Sequence, residues 1–386
     1  MRDGEHLTFS LEEYRRRLNN LRERMHQRQI DVVMINDPSN LLYLTGYQTT
    51  GYSYFQCLVV PLEEEPFMVT RLLEETNITH RTWVEHSRPY TDTGDAIETL
   101  RQAFIEFGLE RSRVGYEKSC EFLTWQFQKR LEASLLRAKL VDCSGIIEED
   151  RVCKSQEEVE AMQRAAFATE AGMQAGIDAA AVGITENDIA AEVHYAMFKA
   201  GGEYPAVSPY ITSGPRTLIG HATWEGRSIN DNECVFLEMA GCYRRYHTAM
   251  MRTVFLGEPP EEMYAAEEYV KRAIDTVMKE VHPGMLVSDM DYIARSIVEE
   301  SHAGRLITRS GYSIGIAFAP SWDEGHILSL KPGETTLLKQ NMTFHLIPWL
   351  YGVLDQHVLG LSETIRITET GAESFFNFPR HLFVKS

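Results

Sequence analysis

The chain has 386 residues, of which 44% are apolar, and its formal net charge is −18 from 38 Lys and Arg against 56 Asp and Glu. This length exceeds what one ordinary hydrophobic core holds, so two domains are expected. The acidic residues are spread along the chain, which predicts a solvated surface that repels nucleic acid and anionic membranes.

The cysteines and the amino-terminal stretch both indicate a reducing compartment. Six cysteines are present, with no CxxC pair and no spacing typical of a zinc cage. The opening residues, MRDGEHLTFSLEEYRRRL, are charged and amphipathic, unlike a signal peptide. No apolar run approaches the roughly 18 residues of a membrane span. We therefore expect a cytoplasmic protein.

Helical and strand patterns alternate through the first 150 residues, which predicts a small α/β domain over 1–150. In chain order the predicted elements are a helix at Ser10–Arg28 with Ser10 as N-cap, a strand at 30–37, a hairpin from CLVVPL and PFMVT, a helix at Asp95–Phe107, a strand at RVGYE, a helix at Phe122–Ala133 and a strand at AKLVD.

The pattern changes near residue 150 and predicts an α+β domain over 151–386. Ser155 and Glu158 form a capping-box pattern in front of a long helix at Glu157–Ala181. The other predicted elements are helices at Glu186–Ala200, Pro260–Val281 and Ser288–Glu300, and hairpins at Ala206–Thr212, Val235–Leu256, Phe344–Leu350 and Gly352–Ile367.

The hairpin over Val235–Gly257 carries one acidic residue at a position expected to be buried. The pattern places a turn at Ala240-Gly241 and Glu238 at the buried end of the first strand. A carboxylate there is costly unless something pairs with it. It either serves chemistry or forms a structural ion pair with an arginine of the same stretch, which has Arg244, Arg245 and Arg252.

Five short motifs occur in a characteristic order. They are NLLYLTGY (40–47), RVCKSQEEVEAMQRAA (151–166), VHPGM (281–285), KPGE (331–334) and GLSETIRITETG (360–371). In these the chain resembles the creatinase, aminopeptidase P and prolidase family over nearly its whole length. The resemblance implies a creatinase-type N-terminal α/β domain over 1–150 and a pita-bread α+β catalytic domain over 151–386.

The resemblance also implies an unusual ligand set. Most family members hold two metal ions with two Asp, one His and two Glu. In this chain those positions fall on Glu238, Ala249, Tyr312, His345 and Glu363, so only the last keeps its family residue. Two carboxylates and a histidine remain possible ligands for one metal. We nevertheless expect metal-free catalysis with no metal or other cofactor.

Creatinase is a metal-free branch of the family, and the spacing from His221 in IGHATWEG to Glu238 is similar to that after its catalytic His. Its active-site Glu falls on Met251, so the resemblance implies a sister enzyme with His221, Glu238 and Glu363 as catalytic residues. Carboxylates without a metal suit a planar amidinium or guanidinium substrate. His221 would act as general base on water, or a Glu carboxylate would attack directly. The alternative for His221 is a structural loop residue.

Within the family the chain most resembles the ectoine-hydrolysing members, above all in GYSIGIAFAPSWDEGH (311–326). That resemblance implies opening of the cyclic amidine of ectoine to N-acetyl-2,4-diaminobutyrate, with 5-hydroxyectoine as a second candidate substrate. The alternatives are a metal-dependent Xaa-Pro dipeptidase or aminopeptidase, a creatinase-like amidinohydrolase, and a binding protein that has lost its metal.

The remaining candidates are substrate-binding residues and a partner subunit. Arg216 shares a loop with His221 and is the first candidate for the substrate carboxylate, unless it is a solvated loop residue; Tyr312 and His345 are expected to line the pocket. The resemblance implies a homodimer in which the first domain leans over the partner's site. Tyr52 or Tyr54 would then line the partner's pocket, or else pack within their own domain.

Overall fold

The structure is a computed structural model that describes residues 6–386, so the first five residues of the charged amino-terminal stretch lie outside it. It divides into two compact units, one ending at Arg151 and the other running from Val152 to Ser386. Over the described part of the chain, none of the helices combines the length and apolar character that crossing a membrane requires.

The first unit is a mixed six-stranded sheet with helices against it, as the alternating pattern predicts. Its strands are β1 (Val32–Ile35), β2 (Cys57–Pro61), β3 (Phe67–Val69), β4 (His86–Ser87), β5 (Arg113–Tyr116) and β6 (Lys139–Asp142). Its helices are α1 (Leu11–Gln27), α2 (Pro38–Thr45), α3 (Glu75–Arg81), α4 (Ala96–Glu106), α5 (Trp125–Ser134) and α6 (Glu148–Arg151).

The strand order of this sheet is β4-β3-β2-β1-β5-β6, with β1, β5 and β6 parallel and β2 antiparallel to both β1 and β3. The hairpin expected from CLVVPL and PFMVT is therefore confirmed. Ser10 caps α1, because its hydroxyl accepts a hydrogen bond from the Glu13 backbone N–H.

The second unit places four helices against sheets that are antiparallel except for one strand pair. The helices are α7 (Gln156–Ala179), α8 (Glu186–Lys199), α9 (Glu261–Glu280) and α10 (Val287–Glu299). The strands are β7 (Tyr210–Ser213), β8 (Glu233–Tyr243), β9 (Tyr246–Leu256), β10 (Gly311–Ser313), β11 (Ser329–Leu330), β12 (Thr343–Leu346), β13 (Leu350–Val353), β14 (His357–Leu359), β15 (Glu363–Ile367), β16 (Ala372–Ser374) and β17 (Phe383–Lys385). The capping box of Ser155 and Glu158 begins α7 as predicted.

The sheets of this unit have the orders β17-β9-β8-β7, β11-β10-β12-β15-β16 and β13-β14. One hydrophobic cluster joins α7 and α8 to β8 and β9, and another joins α9 and α10 to β12 and β15. β17 runs parallel to β9, and the Lys385 ammonium donates to the carbonyls of Ile177 and Asp178 near the end of α7.

The central hairpin is β8 and β9, but its turn is not at Ala240-Gly241. Tyr243 pairs with Tyr246, so the turn residues are Arg244 and Arg245, which have φ values of 52° and 65°. Both lie in the left-handed region that two-residue hairpin turns require.

Gly241 is instead a packing residue inside β8. A Cβ atom there would lie 2.2 Å from the Ala165 carbonyl oxygen and 2.7 Å from the Thr169 nitrogen, both on α7. The backbone of β8 therefore approaches the helix more closely than any side chain allows. Because β8 continues through Gly241 to Tyr243, Glu238 lies in the middle of an eleven-residue strand rather than at its end.

Two other expected hairpins are also wrong. The range Ala206–Thr212 contains the single strand β7, which pairs with β8, and Phe344–Leu350 contributes β12, which pairs with β10 and β15. In both cases the partner strand is distant in sequence, so local pattern could not identify it.

Candidate active site

The register of three strands places Glu238 between an aromatic ring and an apolar side chain. Glu238 opposes Tyr210 on β7 and Met251 on β9. Directly opposed residues of antiparallel strands project from the same face of the sheet. Glu238, Tyr210 and Met251 therefore share one face.

Glu238 is buried without a partner. Its side chain forms no hydrogen bond or ion pair with any residue in the described range 6–386, and the residue is only 8% exposed. Burial raises the pKa of its carboxyl from the ordinary value of 4.5 to about 8. An isolated buried carboxyl with this pKa is a group that a cationic ligand would stabilise in its ionised form.

The three arginines expected as structural partners of Glu238 are engaged elsewhere. Arg245 donates to the carbonyls of Ala317 at 2.9 Å and Tyr204 at 2.5 Å. The guanidinium of Arg244 lies 5.5 Å from the ring of Tyr243. The structural ion-pair explanation of Glu238 is therefore wrong.

Arg252, the third of these arginines, pairs with Glu363. Its guanidinium donates to one Glu363 oxygen at 2.8 Å, and both side chains are buried. The other Glu363 oxygen accepts from the hydroxyl of Ser374. Arg252 opposes Leu237 in the hairpin and so projects from the face opposite to Glu238.

The expected convergence of Glu238 and Glu363 stays a prediction, which the pairing of Glu363 with Arg252 does not favour. Both Glu363 oxygens are occupied, and burial alone, with no contribution from Glu363, raises the pKa of Glu238. The physical reason is that Arg252 is buried and needs a counter-charge, which Glu363 supplies. A catalytic role for Glu363 stays a prediction that this geometry does not favour.

His221 lies beside Tyr210, on an exposed loop. It follows a short 3₁₀ turn over Gly214–Leu218, is exposed, and has a φ of 57°. Its ring centroid is 5.5 Å from that of Tyr210, the residue opposed to Glu238. His221 is therefore separated from Glu238 by one aromatic ring.

Arg216 already has partners in its own loop. It forms an ion pair with the fully buried Glu186 and donates to the Thr223 carbonyl at 2.7 Å. Glu186 also accepts from the backbone of Ser213 and Glu225, so this pair fixes the loop that carries His221. Recognition of a substrate carboxylate by Arg216 stays a prediction.

Tyr312 and His345 belong to one chain of hydrogen bonds. Trp322 Nε1 lies 3.0 Å from the Tyr312 hydroxyl, which lies 2.7 Å from His345 Nδ1. His345 Nε2 lies 2.7 Å from the Ser362 hydroxyl, which also accepts from the Met251 backbone N–H at 2.7 Å. These hydrogen bonds run from Tyr312 on β10 to the backbone N–H of Met251, the residue opposed to Glu238.

Burial and nearby charges keep the hydrogen-bonded groups of this site neutral. Burial, and then the charges of Arg309 and Arg252, lower the pKa of His345 to about 3, so its ring carries a single proton near neutral pH. Burial, and then the charge of Glu238, raise the pKa of Tyr312 well above its usual range. The same two causes raise the pKa of Tyr210 to about 12. Both phenols are therefore protonated hydrogen-bond donors.

Four residues of this site were not identified from the sequence. They are Tyr210, Arg309, Trp322 and Ser362. Arg309 lies 4.4 Å from the Tyr312 ring and pairs with Asp323 at 3.1 Å. Trp322 lies inside the quoted stretch 311–326 and Ser362 directly precedes Glu363, so their positions were visible but their roles depend on strand register.

Tyr52 and Tyr54 lie in the first unit and have contacts there. The ring of Tyr52 is 5.4 Å from that of Phe122, edge to face. Tyr54 is 53% exposed, and the Arg71 guanidinium lies 3.8 Å from its ring. Contact with a partner subunit stays a prediction.

The residues at the expected ligand positions do not fit a metal centre. Within residues 6–386, no group of three or more His, Cys, Asp or Glu is arranged to hold a metal ion. At the second expected position, the backbone N–H and carbonyl of Ala249 are both bonded to the Thr364 hydroxyl at 2.9 Å. Of the other four positions, Glu363 is bonded to Arg252 and Ser374, and Tyr312 and His345 are bonded to each other. Among the described residues, Glu238 alone of the five positions has no partner.

Comparison with known proteins gives two family matches. Residues 17–153 match the creatinase/prolidase N-terminal domain, and residues 160–370 match metallopeptidase family M24. The family resemblance and the fold class expected from the sequence are confirmed by these matches.

Individual proteins are similar over nearly the whole chain. The chain is 32% identical over 398 residues to the ectoine hydrolase of Halomonas elongata, covering 98% of this chain and 99% of that protein. It is 25% identical to the Xaa-Pro dipeptidase of Pyrococcus furiosus, covering 95% and 99%. A prolidase structure from Thermococcus sibiricus has a TM-score of 0.85 at 22% identity, covering 97% of this chain and 100% of that one, which shows the fold alone.

Proposed function

Because this chain belongs to metallopeptidase family M24 and is a hydrolase, we propose that it opens the cyclic amidine ring of ectoine without a metal ion. The observation that carries the proposal is the unpaired, buried carboxyl of Glu238. The similarity to an ectoine hydrolase over the full length supports the choice of substrate.

The substrate carries the positive charge that can pair with the Glu238 carboxylate. Ectoine is a small ring with an amidinium and a carboxylate, and an amidinium donates two parallel hydrogen bonds to a carboxylate. Binding of the cation lowers the pKa of Glu238 and favours its ionised form. The site thus selects a cation, which a peptide bond does not provide.

The reaction adds water across one carbon–nitrogen bond. Either Glu238 holds the amidinium while His221 removes a proton from the attacking water, or the Glu238 carboxylate attacks the amidine carbon and the resulting acyl intermediate is hydrolysed. In the first route His221 returns the water proton to the leaving nitrogen, which departs as an amine. In the second route a solvent proton goes to the leaving nitrogen, and the water that hydrolyses the acyl intermediate replaces that proton. The amidinium carbon is already electrophilic, so Lewis-acid activation is less necessary than for a peptide carbonyl.

We further propose that the protein is a homodimer in which Tyr52 or Tyr54 lines the partner's pocket. Tyr54 offers an exposed aromatic face, which suits contact with a cationic ring.

One experiment separates the candidate functions. The purified protein is dialysed against a strong chelator, and its metal content is measured beside its activity on ectoine and on a Gly-Pro dipeptide. We expect metal-free protein to open ectoine at the untreated rate and to leave Gly-Pro intact. Loss of turnover on chelation and its return with Mn²⁺, Zn²⁺ or Co²⁺ would refute metal independence, and cleavage of Gly-Pro would instead favour the dipeptidase function.

A further inference from the structure

The hydrogen-bond chain from Ser362 to Tyr312 has a direction that can be worked out from its donors and acceptors. The backbone N–H of Met251 and the indole N–H of Trp322 only donate, so Ser362 and Tyr312 each accept one hydrogen bond from them. His345 is neutral and carries one proton, on either Nδ1 or Nε2.

Either choice leaves one hydroxyl proton without an acceptor among the described residues. With the proton on Nε2, His345 donates to Ser362, and the Ser362 proton is left over in a fully buried position. With the proton on Nδ1, Ser362 donates to Nε2, His345 donates to Tyr312, and the Tyr312 proton is left over.

The two arrangements differ in free energy, because the hydroxyl proton without an acceptor lies on Ser362 in one and on Tyr312 in the other. An unsatisfied hydroxyl in a closed position costs about 1–3 kcal/mol. Ser362 is 0% exposed, whereas Tyr312 is 6% exposed, so a proton left over on Tyr312 keeps access to an acceptor from solvent or a ligand and one left over on Ser362 does not. The arrangement with the proton on Nδ1 is therefore the stable one.

We propose that Ser362 and His345 form a fixed relay that directs the Tyr312 O–H into the site, where it donates a hydrogen bond to the substrate as the ring opens. This inference rests on the proposed function for its substrate, but the direction of the relay does not depend on it. Ser362 and His345 are positioning residues, and Tyr312 contacts the reacting atoms.

The chemistry of an amidinium explains why this donor acts during the reaction. Both nitrogens of a bound amidinium are donors, so they offer Tyr312 no acceptor in the ground state. Addition at the amidine carbon gives the departing nitrogen a lone pair, which accepts a hydrogen bond. An interaction formed only as the reaction proceeds raises kcat and leaves KM nearly unchanged. The phenol keeps its proton, because burial and Glu238 both oppose its ionisation.

The relay is tested first without substrate. Protein labelled with ¹⁵N at its histidines shows by one-bond coupling which ring nitrogen of His345 carries the proton, and the signal is assigned by its loss in His345→Gln. We expect the proton on Nδ1 in the wild type and a changed signal in Ser362→Ala. A proton on Nε2 in the wild type would overturn the inference, whatever the substrate.

Kinetics test the role in the reaction. We expect Tyr312→Phe to lower kcat for ectoine by about 10²-fold with KM within about threefold, since one positioned donor contributes this much. Tyr246→Phe is the matched control, because it removes a buried hydroxyl that donates to Glu158 at 2.8 Å outside the site. An unchanged kcat in folded Tyr312→Phe would refute the role of Tyr312, whereas no ectoine turnover in the wild type, with the proton on Nδ1, would refute only the substrate.

Discussion

At the scale of single residues, Glu238 links burial to pH dependence. Its pKa of about 8 means that the free protein holds this carboxyl mostly protonated near neutral pH. Only the ionised form pairs with an amidinium or attacks carbon. We therefore expect kcat/KM for ectoine to rise about tenfold per pH unit below pH 8 and to level off above it, as a pH–rate profile would show.

Glu238→Gln keeps the shape of the side chain and removes its charge. We expect turnover to fall by at least about 10²-fold and the rise toward pH 8 to disappear. Turnover of the variant within a few-fold of wild type would mean that Glu238 has no catalytic role. Mass spectrometry during wild-type turnover separates direct attack from ion pairing, because only attack leaves a substrate-sized adduct on the Glu238 peptide.

The same burial predicts a cost in stability at high pH. The folded state raises the carboxyl pKa above its ordinary value of 4.5, so the stability it contributes is complete below that value and is lost as pH rises through about 8. The loss is at most roughly 5 kcal/mol. We expect Glu238→Gln to unfold at higher denaturant concentration than wild type at pH 9 and at a similar one at pH 4. A pH-independent difference would contradict this origin.

Replacing Glu363 is expected to lower the stability of the fold, unlike replacing Glu238, because Glu363 is the counter-charge of buried Arg252. Glu363→Gln leaves an uncompensated guanidinium in the core, which costs about 3–5 kcal/mol. We predict a clear fall in Tm for Glu363→Gln and none for Glu238→Gln at neutral pH. A stable Glu363→Gln protein that has lost turnover would restore Glu363 as a catalytic residue.

At the scale of elements, the close approach of β8 to α7 sets the position of the site. Gly241 is the contact point, and its backbone N–H donates to the Thr169 hydroxyl at 2.8 Å. Gly241→Ala forces a Cβ atom against helix backbone, so we expect a loss of about 1–3 kcal/mol or more in denaturant unfolding. Gly220→Ala is the control, since nothing lies within 4 Å of its added Cβ atom. Equal stability of the two variants would contradict the packing role.

Elements whose signals are local were predictable from the sequence. The Ser155 cap of α7 and the strands β1, β2, β3, β5 and β6 lie where their patterns place them, because caps and periodicity act within a few residues. The turn of the central hairpin was not predictable in this way. Gly241 has the sequence signature of a turn, but a glycine is needed there because β8 packs against a helix some 70 residues earlier in the chain. Two arginines occupy the turn instead.

The candidate site was predictable in part for the same reason. The family pattern points to Glu238, Tyr312 and His345, and the structure pairs Tyr312 with His345 in adjacent strands. The pattern gave no sign that Glu363 pairs with Arg252 or that Ser362 completes the relay. Those facts depend on which side of a strand each residue occupies, and neighbouring residues point to opposite faces.

At the scale of the whole molecule, a shared active site is testable by mixing inactive subunits. If Tyr52 or Tyr54 serves the partner's pocket, a Tyr52→Ala/Tyr54→Ala protein and Glu238→Gln are each inactive alone. Random mixing gives half mixed dimers with one intact site each, so we expect about a quarter of wild-type activity. Mixtures that stay inactive, or a fully active monomer by light scattering, would contradict a shared site.

The parallel pairing of β17 with β9 has a consequence for the order of biosynthesis. Residues 254–256 of β9 find their partner in residues 383–385, more than a hundred residues later in the chain. Lys385 then also reaches the end of α7, where a cation is favourable. A ribosome must therefore translate past residue 385 before this sheet edge is covered. Until then the nascent chain carries an open edge available to other strands, which is where chaperone protection matters most.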